Sequence, residues 1–253
     1  MNSTILLSTQ RSGTTFFDRK LNGMLDLKTG GGELIDFSFY DKHDVKNLIK
    51  CDNFFDKNKH LKLREDNHAD DFEDDCYVEV NKHLLTSAVK KSDYAEFNVM
   101  LNAIKYNIDL IKSIKTPILF LIRKNNWKRC VSESVMQDTK VSHIMKNSEF
   151  FLDVKLNKEK IIKNCETSYE KIVAFQKELK NQKNVKIIYY EDIQNKEYWT
   201  DEFINELEDF MKVKFTDRNY IPPFKKTRNF VNIINEAETV DEEMIKKYYI
   251  KEI

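Results

Sequence analysis

Short apolar runs that break off abruptly in polar or charged residues set the tightest limit on what this chain can build. Residues 3–8 (Ser-Thr-Ile-Leu-Leu-Ser) run into the polar turn Thr9–Thr15, and Ile118–Ile122 stops at Arg123-Lys124. Continuous apolar runs of this length, without alternation, read as strands covered on both faces. Val185–Tyr190 is a third such run, β-branched and apolar, with Glu191-Asp192 at its end. Between the runs the period changes to that of a helix. Phe17, Leu21 and Met24 mark one helix face. Tyr94, Phe97, Leu101, Ile104, Ile108 and Ile111 predict a helix over 94–114. Further helices are predicted over 126–137, 158–182, 199–212 and 239–250, and a strand at Tyr77–Val80. Strands alternating with helices predict an α/β fold with a mostly parallel central sheet flanked by helices. A length of 253 residues, with no repeat and no clear linker, predicts one domain over 1–253.

In such a sheet, ligands bind at the carboxyl ends of strands. Composition narrows which ligands. The 42 basic and 42 acidic residues cancel, which argues against a general polyanion binder and so against a nucleic-acid partner. No run of about 18 to 20 apolar residues occurs, so no membrane span is expected. No basic segment precedes a long apolar run at the start, so no signal peptide is expected. Cys51, Cys76, Cys130 and Cys165 are widely spaced without a Cys-x-x-Cys pair, which predicts free thiols and a cytoplasmic location. The five histidines have no metal-binding spacing, and the acidic cluster Asp70, Asp71, Glu73, Asp74 and Asp75 reads as a solvated loop.

All five glycines lie within the first 32 residues, and a chain this poor in glycine places it where the backbone has special needs. Gly13 sits in Gln10-Arg11-Ser12-Gly13-Thr14-Thr15, which joins the first strand to the first helix. Free amides at a helix start point outward, and the helix dipole adds partial positive charge. Gly13 lets a phosphate approach the backbone, Ser12, Thr14 and Thr15 add hydroxyls, and Arg11 adds a planar fork of charged donors. The loop is not a Walker A motif, since no glycine lies upstream and no lysine precedes the threonines. A second candidate site pairs Arg123, at the end of the central strand, with Ser132 nine residues later on the next helix. An arginine at a strand end and a serine one loop away can converge on one anion. Lys124 and Arg129 are further cations nearby.

Arg11-Ser12-Gly13-Thr14-Thr15 after an N-terminal strand resembles the 5′-phosphosulfate loop of the sulfotransferase family, in particular its bacterial and tyrosylprotein branches. The proline usual before the cation is replaced here by Gln10. Arg123 and Ser132 are similar to the family's 3′-phosphate motif, and Tyr189-Tyr190-Glu191-Asp192-Ile193 to a strand end that serves as structural support. Lys225-Lys226-Thr227-Arg228 resembles the C-terminal basic loop, which implies 3′-phosphate contacts for Lys226, Thr227 and Arg228. A plain solvated basic run is the other reading. The stretch 36–115 matches nothing in the family, and there acceptor recognition tends to vary.

The resemblance implies 3′-phosphoadenosine 5′-phosphosulfate as co-substrate, adenosine 3′,5′-bisphosphate as product and no required metal. Arg11 and Glu33 are implied as the catalytic pair, with Arg11 on the leaving phosphate. Glu33 follows Gly30-Gly31-Gly32 and would be the base, with His83 as rival. The acceptor is a small molecule, a carbohydrate or a peptide. Two other readings stay open: a magnesium-dependent nucleotide or small-molecule kinase, and a non-catalytic nucleotide-binding protein.

Overall fold

The structure is a computed structural model that describes residues 4–26, 96–101, 108–139, 152–222, 231–233 and 241–253. β1 (Thr4–Ser8) leads through a tight loop into α1 (Thr14–Met24). β2 (Glu96–Met100), α2 (Ile108–Ser113), β3 (Ile118–Ile122) and α3 (Asn126–Thr139) follow. Then come β4 (Leu152–Val154), α4 (Lys158–Leu179), β5 (Val185–Tyr189), α5 (Tyr190–Ile193), a 3-10 turn (Lys196–Tyr198), α6 (Asp201–Met211), β6 (Val231–Ile233) and α7 (Glu242–Lys247).

Four strands form a parallel sheet in the order β2-β1-β3-β5. β1 and β3 occupy its centre and are buried at every residue, as their unbroken apolar runs require. β5 lies at the edge of the described sheet and is buried fully only at Ile188. The parallel sheet with its flanking helices is the predicted α/β architecture.

The predicted helix over 94–114 is corrected. Glu96–Met100 is a strand paired with β1 from Thr4↔Glu96 to Ser8↔Met100, and the helix begins at Ile108. Phe97, Val99 and Leu101 alternate with Glu96, Asn98 and Met100, so a strand period is embedded in the same residues that gave the helical one. Sheet pairing along β1, carried on by the Leu101 amide donating to the Ser8 carbonyl at 2.6 Å, decides between them. The separate parallel pair β4–β6 was also not foreseen, its strands being three residues each.

Among the described residues, two apolar clusters hold helices in place. Leu6, Leu119, Leu121 and Ile188 of the sheet pack with Phe17, Leu21 and Met24 of α1 and with Phe203, Ile204, Leu207 and Met211 of α6. Phe203, Ile204, Leu207 and Met211 recur at helical spacing, so α6 buries one stripe, and Thr200 caps its start by accepting from the Phe203 amide. The second cluster joins Trp127, Cys130 and Val131 of α3 to Ile161 and Cys165 of α4 and to Tyr248. This packing holds α3 on α4, and hydrogen bonds from Arg129 and to Ser132 join α3 to the loop after β1. Among the described residues no helix is long and apolar enough to cross a membrane.

Candidate functional site

The loop after β1 is built for an exposed row of amides. Gly13 has φ 89°, a left-handed conformation, and the helical Thr14 follows it. That alternation turns consecutive amides toward one side. The Phe16 and Phe17 amides both return to the Gly13 carbonyl, and no side chain caps the start of α1. The first amides of the helix therefore keep the outward direction any helix start has. Thr9 Oγ1 and Ser12 Oγ lie 2.7 Å apart and close the turn from inside. Gly13 is required twice over. Besides its φ, a Cβ there would overlap the ring of Tyr190.

Arg11 also adopts a left-handed conformation, with φ 62°. A side chain bearing a Cβ pays about 1–2 kcal/mol for that, and neighbouring arginines hold it there. Arg123 Nη1 donates to the Arg11 carbonyl at 3.1 Å, and Arg129 Nη1 donates to the Gln10 carbonyl at 3.2 Å. In the other direction, Arg11 Nε donates to Ser132 Oγ at 3.1 Å. The two motifs separated by more than a hundred residues are thus one cluster. Burial, and next the charge of Arg123, lower the pKa of the Arg11 guanidinium, while Glu133 and Tyr190 act the opposite way. Arg123 also lies over the Tyr190 ring, 5.3 Å from its centroid.

The cations flanking Arg123 have other partners. Lys124 bonds Asp192 at 2.7 Å and also Glu252, and lies over the ring of Tyr189. Arg129 is buried, with Nε on Asn126 Oδ1 and Nη1 on Glu133 Oε2, both at 2.7 Å, and Nη2 on Ser168 Oγ at 2.7 Å. The sequence marked both only as further cations near Arg123. In the structure acids meet their charges, Asp192 and Glu252 for Lys124 and Glu133 for Arg129. Glu191 has the structural place its strand end suggested. Its two carboxylate oxygens accept from the amides of Lys124 and Asn125 at 2.8 and 3.0 Å, where the chain leaves β3 for α3.

Of the residues singled out in the sequence, the structure gathers Arg11, Ser12, Gly13, Thr14, Thr15, Arg123 and Ser132 at the carboxyl ends of β1 and β3. Glu33, His83, Lys226, Thr227 and Arg228 lie outside the described residues, as do Tyr77–Val80 and the acidic cluster at 70–75. Sequence reading missed the holding role of Arg129 and the ring of Tyr190 against Gly13. Arg129 precedes Ser132 by three positions on α3, a spacing that puts both on one helix face and could have pointed to it. Among the described residues no three His, Cys, Asp or Glu side chains gather as they would around a metal ion.

A parallel sheet whose first strand turns through a left-handed glycine into a helix start defines a P-loop-like α/β architecture. No family model matches the sequence, and no curated protein matches it. Solved structures that are similar include retinol dehydratase in complex with androsterone and inactive cofactor PAP, at 14% identity and TM-score 0.45 over 98% of this chain and 78% of that one. A sulfotransferase from Alicyclobacillus acidocaldarius is similar at 12% identity and TM-score 0.39 over 90% of this chain and 87% of that one.

Proposed function

We propose that this chain is a sulfotransferase that moves a sulfuryl group from 3′-phosphoadenosine 5′-phosphosulfate to a hydroxyl or amine of an acceptor. The observation that carries the reading is the joining of the two motifs, with Arg11 on Ser132 and Arg123 on the Arg11 carbonyl. A loop of amides alone suits one phosphate. Two arginines pressed together beside that loop suit a ligand with two anionic ends, since each added negative charge relieves the like-charge contact between Arg11 and Arg123.

When bound, the donor supplies a sulfuryl group on a phosphate oxygen, and transfer breaks that S–O bond as the acceptor atom forms a new one to sulfur. The amides of Gly13, Thr14 and Thr15 with the Arg11 guanidinium hold the 5′-phosphate and meet the charge that develops on it. The Thr14 and Thr15 hydroxyls complete that end, while Ser12 shapes the turn from inside through its hydroxyl on Thr9. Arg123 and Ser132 hold the 3′-phosphate, joined by Lys226, Thr227 and Arg228. Glu33 takes the acceptor's proton. Positioning and fixed charge supply the catalysis, and no metal is required. The stretch 36–115 selects the acceptor. A reducing cytoplasm is the proposed location, as widely spaced cysteines without a Cys-x-x-Cys pair suggest.

The test is turnover in the presence of a chelator. The chain is incubated with the donor and with hydroxylated small molecules, carbohydrates and tyrosine peptides, and adenosine 3′,5′-bisphosphate is followed. Acceptor-dependent release that Arg11→Ala abolishes supports the reading. Phosphoryl transfer from ATP that needs magnesium, with no release from the sulfated donor, overturns it in favour of a kinase.

A further inference from the structure

We infer that Arg129 is a positioning residue for the anion loop, acting through the Gln10 carbonyl and touching no ligand itself. The inference rests on the nucleotide reading of the loop above. Gln10 is an ordinary residue at the start of a turn whose next residue, Arg11, sits at φ 62°. Nothing in the Gln10 side chain restricts that peptide. The restraint comes from outside, because Arg129 Nη1 donates to the Gln10 carbonyl at 3.2 Å while Arg123 Nη1 donates to the next carbonyl, that of Arg11, at 3.1 Å. Two consecutive carbonyls are thereby held by charged donors and kept from facing an anion bound at the amides. A carbonyl dipole turned into such a cradle would repel the ligand that the amides attract.

Arg129 is made rigid for this task. It is 1% exposed, and its planar head is fixed on four sides: Asn126 Oδ1 at 2.7 Å, Glu133 Oε2 at 2.7 Å, Ser168 Oγ at 2.7 Å and Cys130 Sγ at 3.0 Å. Asn126 is itself tied to Ser168 and to the Cys165 carbonyl, so the fixing reaches from α3 into α4. Lysine has one ammonium and no fork, and cannot meet this set and Gln10 together. A guanidinium anchored on two helices reaches outward to the loop through its bond to the Gln10 carbonyl.

The experiment measures pyrophosphate and adenosine 3′,5′-bisphosphate binding by calorimetry to wild type, Arg129→Lys, Glu133→Gln and Glu208→Ala. Each is measured at a temperature where melting curves show it folded. Positioning predicts about tenfold weaker pyrophosphate binding in Arg129→Lys and a smaller loss in Glu133→Gln. Glu208→Ala, which strips the buried Phe215 amide of its acceptor at the end of α6 and touches neither Arg129 nor the loop, keeps wild-type affinity while its melting temperature falls. A folded Arg129→Lys that binds pyrophosphate as wild type does overturns the inference. If Arg129→Lys does not fold, wild-type affinity in Glu133→Gln overturns it. Affinity that falls in Glu208→Ala as far as in Arg129→Lys also overturns it, since loss of stability alone would then account for both. A wild-type chain that takes pyrophosphate but refuses adenosine 3′,5′-bisphosphate overturns the nucleotide reading alone, and one that takes neither overturns both.

Discussion

Arg11 Nε donates to Ser132 Oγ at 3.1 Å, across 121 residues of chain. One residue belongs to the loop after β1, the other to the helix after β3. Because β1 and β3 are neighbours in the sheet, their carboxyl ends open side by side. A ligand that engages one of these groups therefore meets the other.

Arg11→Ala removes the charged fork from the loop while leaving the buried strand and α1 untouched. Turnover is expected to fall by about 100- to 1,000-fold, the usual effect of losing a donor to developing negative charge. The melting temperature should stay near that of wild type. Rate and melting measurements on one preparation check both halves.

Arg123→Ala takes away a guanidinium that bonds the loop and that the proposed function assigns to the 3′-phosphate. Affinity for adenosine 3′,5′-bisphosphate should weaken by roughly 2 kcal/mol, about thirtyfold. Unchanged affinity in a titration removes Arg123 from the site.

Glu33→Gln is expected to keep nucleotide affinity and to lose turnover, because an amide cannot take up the acceptor's proton. His83→Gln should leave both unchanged. A loss of turnover in the histidine variant, with Glu33→Gln active, reassigns the base.

The sequence made β1, its loop, β3 and the α3 serine legible, because unbroken apolar runs, a glycine in the turn after a strand and a strand-end arginine are local signals. β2 was not legible, since Phe97 and Leu101 satisfy a helix period and a strand period at once, and only pairing with β1 chooses. The commitments of Lys124 were hidden for a different reason. Its partners Asp192 and Glu252 lie 68 and 128 residues away, and an ion pair at that separation leaves no pattern in the chain. The clamp by Arg129 on a backbone carbonyl is invisible in the same way, as no side chain at position 10 records it.

Glu208 anchors the end of α6. It is 1% exposed, and its carboxylate accepts from Lys214 at 2.8 Å, from the Phe215 amide at 2.9 Å and from Arg218 at 2.7 Å. Burial alone would raise its pKa, but these bonds overcome it and hold the group at about 2, below the ordinary 4.5. A depressed folded value means that the stabilisation is present above about pH 4.5 and is lost as pH falls toward 2. Glu208→Ala should cost about 1–3 kcal/mol at neutral pH, because the buried Phe215 amide loses its acceptor. Denaturant titrations of the two chains should converge as the pH is lowered through that window.

Asp18 on α1 has the opposite sign. Burial raises its carboxyl to about 6, with Asn22 and Arg19 opposing. A raised folded value favours the protonated form, so the fold loses stability as pH rises from the ordinary 3.8 to about 6. Asp18→Asn should therefore stabilise the chain at pH 7, by on the order of 1–2 kcal/mol after solvent screening, and remove that part of the pH dependence. Denaturant midpoints at pH 4 and pH 7 test it.

The most direct measurement is calorimetric titration of the wild-type chain with adenosine 3′,5′-bisphosphate, beside ATP and adenosine 5′-monophosphate, without magnesium. Micromolar binding that requires the 3′-phosphate is the result expected if Arg11 and Arg123 serve the two ends of one nucleotide. No binding, or a preference for ATP that appears with magnesium, contradicts it.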